Sequence, residues 1–477
     1  MLPPEELLEE IGVNGIFASV SLGYRNTWFL DGTLRRDESS TLPDDNNSYY
    51  YPSVTASFIF SNLLKKEWLS LGKIRLNYAE VGNSAPALRL TDTYRIQASF
   101  AGTSLATLPD VKLNPNLKPE RQTAYEAGLE MNFLKNRIGF DLAFYKNNTF
   151  DQLMPLSVSF ATGYDSKWIN AGEIENRGIE LTLSGTPVKM KDFQWEVNVN
   201  WAKNKNEVVS LFKDESGNEV TNLQLASLQG GVTINARVGE AYGTINGSDY
   251  VYHENGQPIV NPNGRYRISP TNDIVLGNFN PDWTGGINNV FSYKNLALSF
   301  LLDFQHGGDV FSLDMWYGSS TGLYQESVGP NDLGNPKRDP IVWTNPDDPS
   351  KGYASNSGGT INEGILENGE PNTTRVRNDT YAADGYAVSP NKRFVYDASF
   401  IKLRELTLTY KLPKKLIEET FLNDASVSFV GSNLWIIHKN LPYADPEASQ
   451  SSGNIQGWQS GVMPTVRNFG FTVNLQF

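Results

Sequence analysis

RNFGFTVNLQF, residues 467–477, closes the chain. Phe469, Phe471, Val473, Leu475 and Phe477 take every second position, and Gly470, Thr472, Asn474 and Gln476 fill the gaps. Successive side chains of a strand point to opposite faces, so this stretch predicts a ribbon with one apolar and one polar side. An uncovered apolar terminal strand invites pairing with other chains, and a fold must supply what covers it.

The same alternation recurs along the chain. Ala18, Val20, Leu22 and Tyr24 share a face in GIFASVSLGY, as do Val54, Ala56, Phe58 and Phe60 in PSVTASFIF. Tyr125, Ala127, Leu129, Met131 and Phe133 oppose Glu126, Gly128, Glu130 and Asn132. Phe193, Trp195, Val197, Val199 and Trp201 line up, then Leu296, Leu298, Phe300, Leu302 and Phe304. In FIKLRELTLTY the phase slips at Arg404–Glu405, which predicts a bulge. About 13 such segments of roughly 9–11 residues appear, the length a tilted strand needs to cross a bilayer.

Composition narrows the class. The 477 residues carry a net charge of −13, which disfavours a nucleic-acid binder, and contain no cysteine, which excludes disulfides and thiolate metal sites. No apolar run approaches the roughly 18 residues of a spanning helix. The mean hydropathy of −0.39 does not exclude a barrel, whose strands alternate. The start, MLPPEELLEE, lacks a basic and then apolar export signal.

The connections alternate in length. Short ones fall near 25–27, 61–72, 134–136, 186–192, 294–295 and 411–425; long ones near 37–51, 83–122, 147–175, 204–282, 307–399 and 436–468. Short turns on one rim and long loops on the other characterise outer-membrane barrels, with periplasmic turns and extracellular loops. The apolar faces hold almost no charge, and Trp28, Trp195, Trp201, Tyr293, Tyr410 and Trp435 sit near strand ends, where aromatic girdles belong. Asp31, Arg35, Glu126, Glu130, Asp141, Glu180, Glu196 and Asp303 fall on the opposite face, as suits a wet lumen. A soluble propeller or stack of sandwiches is the competing architecture, but the uneven spacing lacks a propeller's period. With Phe477 at the periplasmic rim, the first strand also runs inward. The strand count is then odd, whereas antiparallel closure needs an even number.

Several stretches carry a resemblance: LDGTLRRDESSTLP (30–43), KIRLNYAEVGN (73–83), LNPNLKPERQTAYEAGLEMNF (113–133), WINAGEIENRGIELTLSGTPV (168–188) and YDASFIKLRELTLTYKLP (396–413), with SNLWII, YADPEAS and the terminal strand. In these the chain resembles the C-terminal barrel portion of SusC-like (RagA-type) TonB-dependent outer-membrane transporters. The resemblance implies an all-β, antiparallel transmembrane β-barrel, partial, with about 13 of 22 strands. Residues 1–14 are expected as a non-barrel lead and 15–477 as barrel. The family's plug and N-terminal domains find no counterpart, so the expectation is a truncated chain. It implies TonB-dependent import of glycan or peptide fragments across the outer membrane. The implied partners are a SusD-like surface lipoprotein, the TonB complex through the N-terminal part, outer-membrane lipid and the barrel assembly machinery. A non-transporting remnant is the alternative, and a soluble or surface carbohydrate-binding β protein the third reading. The terminal strand, with Phe469, Phe471, Val473, Leu475 and Phe477, becomes the assembly signal.

No catalytic constellation emerges, and no cofactor is expected. His253, His306 and His438 are scattered, without zinc spacing. Gly318–Gly322 matches GxSxG around Ser320, but a nucleophile elbow needs a strand before and a helix after, and DMWYGSSTGLYQES reads as a loop. At 260–276, Arg265 and Arg267 stand where calcium would want carboxylates, so no metal is expected there. Aromatic side chains in the long loops are the candidates for stacking on a substrate: Trp316, Tyr317, Tyr324, Trp343 and Trp458.

Overall fold

Alternating segments pair with their neighbours in chain order, as short turns dictate. The computed structural model describes residues 8–214, 217–378, 385, 386, 388–448, 453, 456–463 and 465–477. Thirteen long strands form one antiparallel path among them. They are β1 (Val13–Tyr24), β2 (Trp28–Ser39), β3 (Ser48–Ile59), β4 (Leu69–Asn83), β5 (Glu120–Phe133), β6 (Ile138–Ser157) and β7 (Ser166–Lys189). β8 (Phe193–Ser210), β9 (Trp283–Tyr293), β10 (Leu296–His306), β11 (Phe400–Lys411), β12 (Asp424–Lys439) and β13 (Asn468–Gln476) follow. The first seven residues of the expected lead lie outside the described residues, and β1 begins two residues before the expected boundary.

Register places like with like. One row on the apolar face runs Leu22, Leu30, Ala56, Leu76, Ala127, Phe144, Ile179 from β1 to β7. A second runs Trp195, Phe291, Leu298, Leu408, Phe429, Phe471 from β8 to β13. One position over, Ser21, Asp31, Thr55, Asn77, Glu126, Tyr145, Gly178 and Asn204 make a polar row. A one-residue slip would exchange the two faces, so the sequence pattern pins this register.

The apolar face is not a core. Leu76 is 55% exposed, Phe144 49% and Phe471 78%. Leu129, Val199 and Phe300 are partly exposed as well. A soluble monomer rarely shows an apolar patch of more than a few hundred Å², and this one continues across thirteen strands. No described helix is long and apolar enough to cross a membrane, which says nothing of strands. The sheet is open: β1 and β13 share no ladder, and both are exposed throughout.

Tight turns join the strands at one rim. Arg25 and Asn26 turn β1 into β2 at φ of 54° and 50°, and Leu134, Lys135 and Asn136 turn β5 into β6 at 52–63°. The other rim carries the true core. Val232, Ile234, Ile245, Phe311, Leu313, Met315, Trp316, Phe394 and Trp458 pack together there. A four-stranded sheet (222–228, 232–237, 244–247, 274–278) lies within the connection between β8 and β9.

Two expectations change, and a third is met. The supposed loop 147–175 is mostly ladder, because β6 and β7 run on for 20 and 24 residues and stay paired out to Ser157 and Ser166. Apolar residues fall on both faces there, as Phe150, Leu153, Met154 and Leu156 do, and alternation signals a strand only where one side alone is apolar. The stretch around Ser320 is a helix, Leu313–Thr321, capped by Ser312, whose Oγ accepts from the Met315 N–H at 3.2 Å. Ser320 lies in its last turn and not at the strand-to-helix corner, so the elbow geometry is not met. The slip at Arg404–Glu405 is the expected bulge.

Candidate functional site: the polar face and the loop cavity

Strand alternation turns a row of carboxylates, amides and cations to the same side as Glu126. Arg75 on β4 bridges two neighbouring strands, with Nε 3.0 Å from Glu126 and Nη1 2.8 Å from Asp141. Lys73 stands 3.8 Å from Glu130. Tyr145 donates to Asn204 at 3.1 Å, and Asn204 and Asn206 both donate to Asn176. A concavity of about 820 Å³ runs over Arg75, Asn77, Glu126, Glu180 and Asn204. These groups present donors and acceptors at closely spaced intervals, a surface that a hydrated solute can cross by exchanging hydrogen bonds.

Near the loop rim the polar face holds a buried ionic cluster. Lys402 on β11 donates to Asp445 at 2.6 Å and also bonds Glu447. Lys402 and Asp445 are 5% and 4% exposed at their side chains. Arg404, at the bulge, takes Glu447 in a fork at 2.8 and 2.9 Å and reaches Asp303 on β10. Burial alone would raise the Asp445 and Glu447 carboxyls, but hydrogen bonds from Lys402, Thr465 and Arg404 leave both below their ordinary values. The connection after β12, carrying YADPEAS, is thereby clamped to the wall.

Above the sheet, a cavity of about 640 Å³ opens among the loops, lined by Tyr266, Tyr324, Glu326, Asp332, Lys337 and Arg393. Tyr324 stacks on Tyr443 with centroids 4.5 Å apart, and Tyr443 donates to Glu326 at 3.1 Å. Burial pushes the Tyr324 hydroxyl above its ordinary value. A hydrogen bond from Arg375 at 2.6 Å holds the Asp332 carboxyl below its own. The wall thus combines an aromatic face with fixed charges of both signs, suited to a solute with polar edges and a flat apolar side.

The five aromatic candidates separate. Trp316 and Trp458 are 7% and 8% exposed and belong to the loop core. Tyr317 lies at the edge of that core, stacked on Tyr386 and accepting from Gln229 at 2.6 Å. Trp343 stacks on Tyr353 at 4.4 Å, away from the cavity lining. Tyr324 alone of the five lines the cavity. Tyr266, Glu326, Asp332, Lys337 and Arg393 carried no local signal, because only folding brings position 266 to 393. In the terminal strand, Phe469, Phe471, Val473, Leu475 and Phe477 are all exposed on the apolar face, and Phe477 stacks on Phe421 at 5.5 Å. In the segment 260–276, Arg267 forks onto Glu367 at 2.9 Å, and a hydrogen bond from Arg267 lowers the Glu367 carboxyl.

Comparison with known proteins agrees with this architecture. The family described as "TonB dependent receptor-like, beta-barrel" matches residues 9–256, just over half of the chain. TonB-dependent receptor P26 of Formosa agariphila is 26% identical over 98% of this chain and 46% of its own length. TonB-dependent receptor SusC of Bacteroides thetaiotaomicron is 24% identical over 97% and 43%. The RagAB peptide importer in a closed-closed state superposes with a TM-score of 0.74 at 20% identity, covering 98% of this chain and 48% of that one. The chain spans just under half the length of the curated relatives it matches. Proteins of this family are receptors and transporters of the outer membrane. With its thirteen-strand path, its two-faced register and these matches, the chain belongs to the TonB-dependent receptor β-barrel family, as a SusC-like member.

Proposed function

We propose that this chain is the C-terminal barrel portion of an outer-membrane importer for glycan or peptide fragments. The observation that carries the reading is the two-faced register: apolar rows outward over thirteen strands, and a continuous polar row inward. An apolar exterior suits hydrocarbon and a polar interior suits a water-filled path. The long-loop rim then faces the medium and the short turns the periplasm. The loop cavity receives the solute first, with Tyr324 stacking on its apolar side and Glu326, Lys337 and Arg393 meeting its polar edges. A solved neighbour that is a peptide importer supports the peptide arm of this reading.

A SusD-like surface lipoprotein is the proposed partner over the loops, and TonB the energy source through the family's N-terminal part. The terminal strand, Phe469 to Phe477, serves as the assembly signal. The reading is transport without catalysis.

The test is deletion of the gene in its native host, followed by uptake of labelled oligosaccharides and oligopeptides. Loss of uptake for one of the two classes, restored by the wild-type gene, is the expected result. Unchanged uptake of both, with the protein correctly in the outer membrane, would make it a non-transporting remnant.

A further inference from the structure

On three adjacent strands the apolar face changes character at one level. Moving toward the loop rim, β6 passes from Leu142 and Phe144 to Lys146, β7 from Leu181 and Ile179 to Arg177, and β8 from Trp201 to Lys203 and Lys205. Lys146, Arg177 and Lys205 are direct cross-strand partners in a single row. Tyr78 and Tyr125 continue that row over β4 and β5, so it marks the boundary between apolar and polar surface. Lys203 stands one row below, beside Ile179, exposed and without an ion pair among the described residues.

Three like charges directly opposite one another repel, and a sheet tolerates them only with compensation. Partial compensation is present. Glu175 lies 2.8 Å from Lys146 and 3.9 Å from Arg177, and Glu207 lies 3.5 Å from Lys205 and 4.0 Å from Arg177. Glu173, a further row out, accepts from the neutral amide of Asn148 at 2.5 Å and makes no ion pair with the row among the described residues. The row and Lys203 set four cations against two adjoining carboxylates and a third, Glu173, one row farther out. The acids lie closer to the sheet, 16% and 36% exposed, while the side chains of Lys146, Arg177 and Lys205 are 52%, 54% and 61% exposed. Cations held from behind by carboxylates and presented outward form a surface for an anion. Their place at the edge of the apolar belt puts them level with lipid headgroups.

We propose that Lys146, Arg177, Lys203 and Lys205 form a seat for the phosphorylated headgroup of an outer-leaflet lipid, whose acyl chains lie along Phe144, Ile179, Leu181 and Trp201. Phosphate oxygens accept charge-assisted hydrogen bonds from the guanidinium and ammonium groups and relieve the repulsion within the row. The proposal rests on the membrane reading above, and its test separates the two.

The wild-type protein and a Lys146→Gln/Arg177→Gln/Lys205→Gln variant are extracted from membranes in mild detergent, and bound lipid is counted by native mass spectrometry and phosphorus assay. A Lys65→Gln/Lys66→Gln variant at the opposite rim is the control. The expected result is retention of phosphorylated lipid by wild type and control, and at least a roughly tenfold loss in the triple variant. Enzymatically dephosphorylated lipid, added back to delipidated wild type, is expected not to rebind. Equal lipid on wild type and triple variant overturns the seat, as does equal rebinding of the dephosphorylated lipid. Should the triple variant misfold, the rebinding arm on wild type still decides. A wild-type protein recovered in the soluble fraction overturns the membrane reading instead.

Discussion

Trp316 and Tyr324 are eight positions apart and hold different places, one inside the loop core and one at its border. Trp316 is enclosed by the loop core and meets Tyr317 and Tyr386 edge-on at 4.9 Å. Tyr324 faces the cavity while stacking on Tyr443. Trp316→Ala opens a void in the core and is expected to cost about 3–5 kcal/mol of loop stability. Proteolysis of the surface loops in whole cells reads that loss. Tyr324→Ala removes one aromatic face, worth about 0.5–1.5 kcal/mol, from a side chain that only borders the core. The concentration for half-maximal uptake is then expected to rise about 2- to 12-fold, with a smaller loss of protease resistance than Trp316→Ala gives. An unchanged half-maximal concentration would take Tyr324 out of the solute's path. Composition marked both residues as loop aromatics, and nothing local distinguished them. Burial in the loops depends on partners such as Ile234, Phe311, Phe394 and Trp458, spread over more than two hundred positions.

Among the elements, the β11 bulge does more than bend a strand. It turns Lys402 and Arg404 toward one shared carboxylate, Glu447, clamping the connection after β12 to the wall. Removing one member of a buried pair leaves the other charge uncompensated, so Lys402→Ala is expected to cost about 3–5 kcal/mol locally. Faster amide exchange over Tyr443–Glu447, without unfolding of the sheet, is the measurement that shows it. The clamp also carries a pH dependence. The Asp445 and Glu447 carboxyls are held below their ordinary values in the folded state, so the unfolded state binds protons first as pH falls. The stabilisation is complete above the ordinary carboxylate range, near pH 4, and is lost as pH drops through the lowered folded values. Exchange over the same segment is expected to be flat from pH 7 to 5, after correction for intrinsic rates, and to rise below 4. A steady rise beginning near neutrality would contradict this. The phase slip was legible in FIKLRELTLTY and its carboxylate partners were not, because they lie about forty residues on in an irregular connection.

At the scale of the whole molecule, two periods tell the story. Alternation with one apolar side announced the strands, and the alternation of short and long connections gave the two rims. Both read directly because each rests on neighbours in sequence. The upper halves of β6 and β7, with apolar residues on both sides, gave no such signal, and neither did the helix Leu313–Thr321, too short for a visible period. The two faces make opposite demands on a charge. Phe300→Arg, on the apolar row, is expected to cost roughly 2–4 kcal/mol if that row meets hydrocarbon at mid-depth, whereas Ser299→Arg on the other face costs little. Denaturant midpoints of the two variants folded in bilayers give the comparison. Equal losses would mean that neither face is lipid-exposed.

The central claim, that the apolar rows touch lipid, has a direct test, made clean by the absence of native cysteine. Single cysteines at each position from Ala297 to Asp303 on β10 are spin-labelled, with the protein in a bilayer. Collision with lipid-soluble oxygen and with a water-soluble nickel chelate is then measured at each site. The account predicts two opposed oscillations of period two, with oxygen highest at Leu298, Phe300 and Leu302 and nickel highest at Ala297, Ser299, Leu301 and Asp303. Low access to both reagents at Leu298, Phe300 and Leu302 would place those residues in a protein core and contradict it.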